Sequence, residues 1–183
     1  MKICSIGIFI IFNCTIATAQ NKLYTKTGTI SFFSKTNIEN IAAKNNKVLA
    51  VWELATGKLE FSVLMKGFEF EKALMQEHFN ESYVESDKYP KATFKGNFEN
   101  FGTLNLLTNK SYTALVKGVL TMHGASKNIT LPTNVKVENG QVSATANFVA
   151  LLADYNIKIP NVVSANISNT INISIIIPAF KAL

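Results

Sequence analysis

Hydrophobic and polar residues alternate along most of the chain after residue 20. The clearest case is the segment 58–66, in which every second side chain is apolar and only Leu64 interrupts the polar face. The apolar members are Leu59, Phe61, Val63 and Met65. A period of two with aromatic and branched residues predicts a half-buried β-strand. Residues 55–57 read Ala-Thr-Gly, which is typical of a turn, so we expect 48–54 and 58–66 to pair as a hairpin.

Three further segments show the same alternation, each with one face of apolar or small residues. These faces hold Ala92, Phe94, Gly96 and Phe98; Ala114, Val116, Gly118, Leu120 and Met122; and Val142, Ala144, Ala146, Phe148, Ala150 and Leu152. The last predicted strand spans 167–177, and one face of it holds Ile171, Ile173, Ile175 and Ile177. We therefore expect about seven to nine strands, mostly antiparallel.

The segment 71–79 departs from this alternation and favours a helix. Its residues are good helix formers, and its larger apolar side chains recur at helical spacing on one side. That side holds Leu74, Met75, His78 and Phe79. Pro90 prevents the helix from continuing far beyond this segment. The pattern predicts one short helix between two strands.

An all-β chain of this kind forms either a sandwich or a closed barrel. Small residues alternate with large ones on the presumed inner faces, at Ala92, Gly96, Ala114, Gly118, Ala144 and Ala146. A sandwich core favours bulk at such positions, so the small residues favour a barrel with a cavity. The alternative is that the glycines mark bends at barrel corners.

The first nineteen residues have the features of a secretory signal peptide. Met1 and Lys2 form a short positive region, an apolar stretch follows at 3–12, and Ala-Thr-Ala at 17–19 is a small-x-small cleavage pattern. We expect cleavage after Ala19. The mature chain, residues 20–183, is then a single domain with a periplasmic or secreted location.

The positions of the two cysteines bear on the signal-peptide interpretation. Cys14 offers the alternative of a lipoprotein signal, which we disfavour because Asn13 stands where a small residue is expected. Cys4 and Cys14 are the two cysteines of the chain, and both precede the expected cleavage site. The mature domain then has no disulfide, thiol nucleophile or cysteine metal site.

Composition disfavours nucleic acid as a partner. The chain has 183 residues, 48% of them hydrophobic, and its formal net charge is +6. All 18 basic residues are lysine, scattered along the chain. Nucleic-acid sites rely on clustered basic residues, and arginine supplies the fork that reads guanine and clamps phosphate. The lysines are better interpreted as a solvated surface coat.

Few residues offer catalytic or metal chemistry. The two histidines, His78 and His123, are not closely spaced, so we expect no metal site and no cofactor. Neither a Gly-x-Ser-x-Gly elbow nor a glycine-rich phosphate loop occurs. We interpret His123, which precedes Gly124, as a turn residue that bonds nearby backbone. We expect no catalytic residues, and interpret the acidic residues at 77–87 as a solvated face.

Two long stretches resemble the YceI-like family. Residues 75–94 read MQEHFNESYVESDKYPKATF, which is similar to the family's acidic-His-Leu/Phe stretch followed by Asp/Glu-Lys-Tyr-Pro and a strand with Thr-Phe. Residues 118–127 read GVLTMHGASK, which resembles the family's Gly-x-Leu-Thr-Ile/Met-His-Gly hairpin. A weaker match retains Asp154 and Tyr155, but Leu152 and Asn156 replace a basic residue and a glycine.

The resemblance implies a lipocalin-like antiparallel β-barrel with an interior tunnel for a long isoprenoid chain. It also implies an exported carrier of polyisoprenoids or similar amphiphilic lipids, with transient membrane-surface contact and a homodimer as further expectations. We expect the cavity to be lined by Phe32, Phe61, Val63, Phe94, Phe98, Leu120, Met122 and Phe148. Each of these residues serves equally well as ordinary core.

Two alternatives to lipid carriage remain at this point. One is an enzyme that acts on a hydrophobic substrate with His78 or His123 as the base, which requires a histidine in the cavity. The other is a structural barrel filled by its own side chains, which requires that no void remain.

Overall fold

A computed structural model describes residues 21–183; the predicted signal peptide lies outside the described residues. The strands are β1 Lys22–Lys35, β2 Asn40–Glu53, β3 Lys58–Leu64, β4 Glu69–Phe70, β5 Lys91–Phe98, β6 Lys110–Met122, β7 Ala125–Glu138, β8 Gln141–Leu151 and β9 Thr170–Ala182. One short α-helix, α1, spans Ala73–His78 and continues as a π-helical turn at Phe79–Tyr83.

The eight long strands form a closed antiparallel barrel. Each pairs with the next along the chain, and β1 closes the ring by pairing with β2 on one side and β9 on the other. The two-residue β4 pairs with β2 beside β3. The predicted class, an all-β lipocalin-like antiparallel barrel with one short helix, is confirmed.

The predicted elements form, but several of their ends differ from the prediction: the first strand of the hairpin begins at Asn40 rather than at 48, and the last strand ends at Ala182 rather than at 177. Residues 48–54 and 58–66 pair as expected, with Glu53 opposite Lys58, although the second strand ends at Leu64. The last strand begins at Thr170 rather than at 167. The backbone N–H of Ser168 donates a hydrogen bond to Ser34 Oγ, which holds the preceding residues across the barrel end instead of in the sheet.

The two ends of the barrel differ in what covers them. One end, here called the loop end, carries the long connections 65–90 and 152–169 and the short turns 36–39 and 123–124. The other end carries the connections 54–57, 99–109 and 139–140 and the C-terminal residue. The long connections lie at one end because the strands run alternately up and down the barrel.

A packed aromatic core fills the lumen at this second end, which we call the closed end. Trp52 is fully buried and stacks on Phe98, with 4.5 Å between ring centroids. Phe101 and Phe180 pack edge-on against the same indole, at 6.0 and 5.8 Å. Ala144 and Ala146 belong to this core as well, so they pack against side chains there rather than border a cavity.

Gly96 and Gly118 make room for a side chain. They lie opposite each other in β5 and β6, and a Cβ atom on either would lie 2.6–2.7 Å from the ring of Phe94. The space that these small residues leave is therefore occupied by Phe94. Of the small inner positions noted in the sequence, Ala92 is the one that borders the cavity described below.

Gly118→Ala should destabilise the barrel by about 1–3 kcal/mol, because the new methyl group overlaps Phe94 and the backbone of β5. Gly102→Ala is the matched control, since nothing lies within 4 Å of a Cβ atom at that position. It should change the free energy of unfolding by less than about 0.5 kcal/mol. Denaturant unfolding of both variants measures this difference, and equal stabilities would contradict the packing described.

Candidate ligand-binding cavity

An apolar cavity of about 280 Å³ occupies the lumen at the loop end. Two rows of side chains form opposite walls. On one wall Phe32, Ile173 and Phe148 are register partners across β1, β9 and β8. On the other, Phe61, Phe94 and Leu120 are register partners across β3, β5 and β6. The walls are apolar because inward-facing residues alternate with outward-facing polar ones in each strand.

Seven of the eight residues predicted to line a cavity border this one. They are Phe32, Phe61, Val63, Phe94, Leu120, Met122 and Phe148. The eighth, Phe98, lies deeper, in the closed-end core against Trp52. It shares a face with Phe94, but four residues along a strand span about 13 Å, which carries it past the floor of the cavity.

The segment 71–89, which we call the strap, covers part of the loop end. It contributes Met75, His78, Phe79, Tyr83 and Val84 to the cavity lining. The helix predicted at 71–79 lies here, but it is shorter than expected: it begins at Ala73, and the chain changes to a π-helical turn after His78. Burial raises the pKa of the Tyr83 hydroxyl above its ordinary value.

Four phenylalanine rings meet where the strap crosses the barrel. Phe79 of the strap lies 5.1–5.6 Å from Phe32, Phe68 and Phe70, measured between ring centroids. All four line the cavity. Sequence reasoning identified only Phe32 as a lining residue, because the other three lie in or beside an irregular connection in which no strand period points inward.

Glu39 is an ionisable group at the mouth of the cavity that sequence reasoning missed. Its Oε1 lies 3.0 Å from Lys72 Nζ, and its Oε2 accepts a hydrogen bond of 3.4 Å from Asn166 Nδ2. These contacts join the β1–β2 turn, the strap and the β8–β9 connection. The hydrogen bond from Lys72, with that from Asn166, lowers the pKa of Glu39 below its ordinary value.

His123 ties the strap to two other parts of the loop end. Its Nδ1 lies 2.9 Å from the backbone oxygen of Tyr155, and its Nε2 lies 3.1 Å from Glu85 Oε2. Both oxygens are acceptors, so a neutral ring donates to one of them and a protonated ring donates to both. His123 and Gly124 both have positive φ and form the two-residue turn between β6 and β7. His123 therefore lies in a turn, as its position before Gly124 in the sequence predicts.

Within residues 21–183, no cluster of three or more His, Cys, Asp or Glu side chains could hold a metal ion. No helix in the same range is long and apolar enough to cross a bilayer.

The polar side chains of the cavity lining belong to the loop-end segments and the adjacent strand ends. They are Ser34, Glu39, Ser62, His78, Tyr83, Thr93 and Asn166.

The family model of the YceI-like domain matches residues 15–179, which is most of the chain. The chain belongs to the YceI-like family. A comparison with curated proteins finds no match.

Three solved structures are similar to this YceI-like chain. A polyisoprenoid-binding domain from Saccharophagus degradans, implicated in plant cell wall breakdown, is 14% identical, with a TM-score of 0.77 over 90% of this chain and 99% of that one. Burkholderia cenocepacia BcnA is 15% identical, with a TM-score of 0.68 over 84% and 96%. The Campylobacter jejuni YCEI protein is 16% identical, with a TM-score of 0.55 over 99% of each chain. At identities this low, the structural similarity shows a shared fold.

The structure accounts for the departures from the YceI-like motifs near residue 154. Leu152, at the position of an expected basic residue, lines the cavity and adds apolar surface. Asn156, at the position of an expected glycine, has φ of 57°. Asparagine tolerates this left-handed conformation better than most residues. Asp154 is retained and pairs with Lys127 Nζ at 2.9 Å, which joins the second and third motifs.

His123→Asn should lower the free energy of unfolding by about 1–3 kcal/mol, because Glu85 and the Tyr155 carbonyl lose their shared partner. Asparagine tolerates the positive φ, so the loss reports the contacts rather than backbone strain. His78→Asn, at an exposed position on the strap, is the matched control and should be close to neutral. Equal denaturation curves for the two variants would show that the histidine contacts do not stabilise the loop end.

Glu39 should stabilise the fold in a pH-dependent way. Because folding lowers its pKa, its contribution is present above the ordinary carboxylate pKa and is lost as pH falls through the lowered value. Glu39→Gln should therefore be less stable than the natural chain at pH 7, and the difference should shrink at pH 3. Thermal unfolding at the two pH values measures this, and a difference that grows on acidification would contradict the assignment.

Proposed function

We propose that this YceI-like barrel binds a long-chain apolar amphiphile of the isoprenoid type in its loop-end cavity and carries it outside the cytoplasm. The observation that carries the proposal is an apolar cavity of about 280 Å³ that the protein's own side chains leave unfilled. An apolar cavity of this kind is poorly suited to water, and it favours a hydrocarbon occupant. Burial of each methylene-sized unit contributes about 0.8 kcal/mol, so a chain can bind without specific polar contacts.

The cavity volume limits how much of a chain fits in this conformation. A cavity of about 150 Å³ binds benzene, so one of about 280 Å³ takes roughly ten carbon atoms. A longer chain requires the phenylalanine rings at the strap to shift, or it extends through the mouth. The closed-end aromatic core limits extension in the other direction.

Two further observations support the class of ligand and the location. One similar structure is a polyisoprenoid-binding domain, which favours an isoprenoid over other apolar ligands. The signal-peptide pattern at residues 1–19 favours a periplasmic or secreted location. The homodimer and the transient membrane-surface contact stay predictions.

The geometry favours binding over catalysis. YceI-like proteins form a binding-protein family. Of the two candidate bases, His123 is held between Glu85 and Tyr155 and does not line the cavity. His78 borders the cavity on the strap, and among the described residues it belongs to no cluster of three or more His, Cys, Asp or Glu side chains that could hold a metal ion. The other alternative, a structural barrel filled by its own side chains, requires that no void remain. The cavity of about 280 Å³ disfavours this alternative.

Organic extraction of the purified full chain followed by mass spectrometry tests the proposal. The natural protein should yield a long-chain lipid at close to one equivalent. Ala150→Phe should abolish this yield, because Ala150 is a buried cavity-lining residue of β8 and the new ring takes the space of the ligand. The variant should stay folded, because Ala150 borders a cavity of about 280 Å³ that can take the new ring.

Val149→Phe is the matched control. Val149 is the neighbouring residue on the same strand, and its side chain is 59% exposed on the outer face. The same substitution there should leave the lipid yield unchanged. Repeated extraction without lipid, or equal yields from the two variants, would refute binding in the cavity.

A further inference from the structure

The charges in the cavity lining are unevenly distributed. Glu39 contributes a carboxylate, and no lysine lines the cavity within the described chain. The chain contains no arginine. Lys35 and Lys158 lie at the same end of the barrel but are exposed and outside the lining. A ligand head group that reaches the mouth therefore borders the Glu39 carboxylate, whose ion-pair partner Lys72 lies outside the lining.

Glu39 is held in place facing the mouth. Its backbone N–H donates to Thr36 Oγ1 at 3.0 Å, and its backbone oxygen accepts from the same hydroxyl at 3.1 Å. The Glu39 side chain is 26% exposed, whereas that of its partner Lys72 is 64% exposed. The carboxylate is therefore the more shielded member of the ion pair and the one that borders the cavity, while the ammonium group lies toward solvent.

The surrounding surface strengthens this asymmetry. The strap holds five acidic residues, Glu71, Glu77, Glu81, Glu85 and Asp87, against two lysines, Lys72 and Lys88. Charges in a partly desolvated site interact more strongly than in bulk water, so an anionic head group at this mouth is repelled by Glu39. A hydroxyl or amide head group, in contrast, can donate a hydrogen bond to the same carboxylate.

We infer that the mouth of the cavity selects an uncharged, hydrogen-bonding head group over a phosphate or diphosphate, and that Glu39 determines this specificity. The inference rests on the proposed function, because it concerns the head group of the ligand that the cavity holds. Lys72 does not reverse the selection. If it turned to a phosphate, it would leave the Glu39 carboxylate without its cation and facing the anion.

A pair of prenyl compounds that differ only in the head group tests the inference. Farnesol and farnesyl diphosphate compete with the neutral dye N-phenyl-1-naphthylamine, whose fluorescence reports occupancy of the apolar cavity. Farnesol should bind the natural protein at least about tenfold more tightly than the diphosphate, a ratio within the range of one unscreened charge contact. Added salt should narrow the ratio, because ions screen the repulsion.

Glu39→Gln should reduce the ratio to less than about threefold, mainly through tighter binding of the diphosphate, since the repelling charge is removed. Glu99→Gln is the matched control. Glu99 is the first residue of the 99–109 connection at the closed end, and it pairs with Lys117 at 2.7 Å, so its neutralisation should leave the ratio unchanged.

The outcomes separate this inference from the proposed function. If farnesyl diphosphate binds as tightly as farnesol, or if Glu39→Gln leaves the ratio unchanged, cavity binding stands and the head-group inference is overturned. If neither prenyl compound displaces the dye, both the proposed function and the inference that rests on it are overturned.

Discussion

The contact between Trp52 and Phe98 is the interaction on which the position of the cavity depends. An eight-stranded barrel encloses a lumen that side chains can fill or that can hold one small ligand. Here the stacked pair, with Phe101 and Phe180 at its edges, fills the half of the lumen nearest the closed end. The remaining half is covered by long connections, and the phenylalanine cluster at the strap lines the void there instead of filling it.

The fold follows closely from the sequence because the period of two is strong. The hairpin of β2 and β3 and the isoleucine face of β9 are both visible in the alternation alone. Strand β7 is harder to see, because Pro132 lies in its middle and Thr133 occupies an inner position among apolar residues. The closure of β1 on β9 joins residues 139 to 159 positions apart, which no local pattern encodes.

The site is less predictable than the fold, for two physical reasons. Alternation shows which side chains point inward but not how deep they lie, so Phe98 and Phe94 look equivalent although only Phe94 borders the cavity. Contacts between distant loops leave no periodic signal. Glu39 looks like a solvated turn residue until Lys72 and Asn166 are placed beside it. His123 likewise meets Glu85 and Tyr155 only in the folded chain.

The barrel is therefore closed by aromatic packing at one end and holds an apolar cavity at the other, where loop contacts hold the strap in place. The crystal structure of the complex with farnesol tests this account most directly. The account predicts the prenyl chain between Phe32, Ile173 and Leu120, with its hydroxyl at the mouth near Glu39. A chain bound on the outer surface, with the lumen still empty, would contradict it.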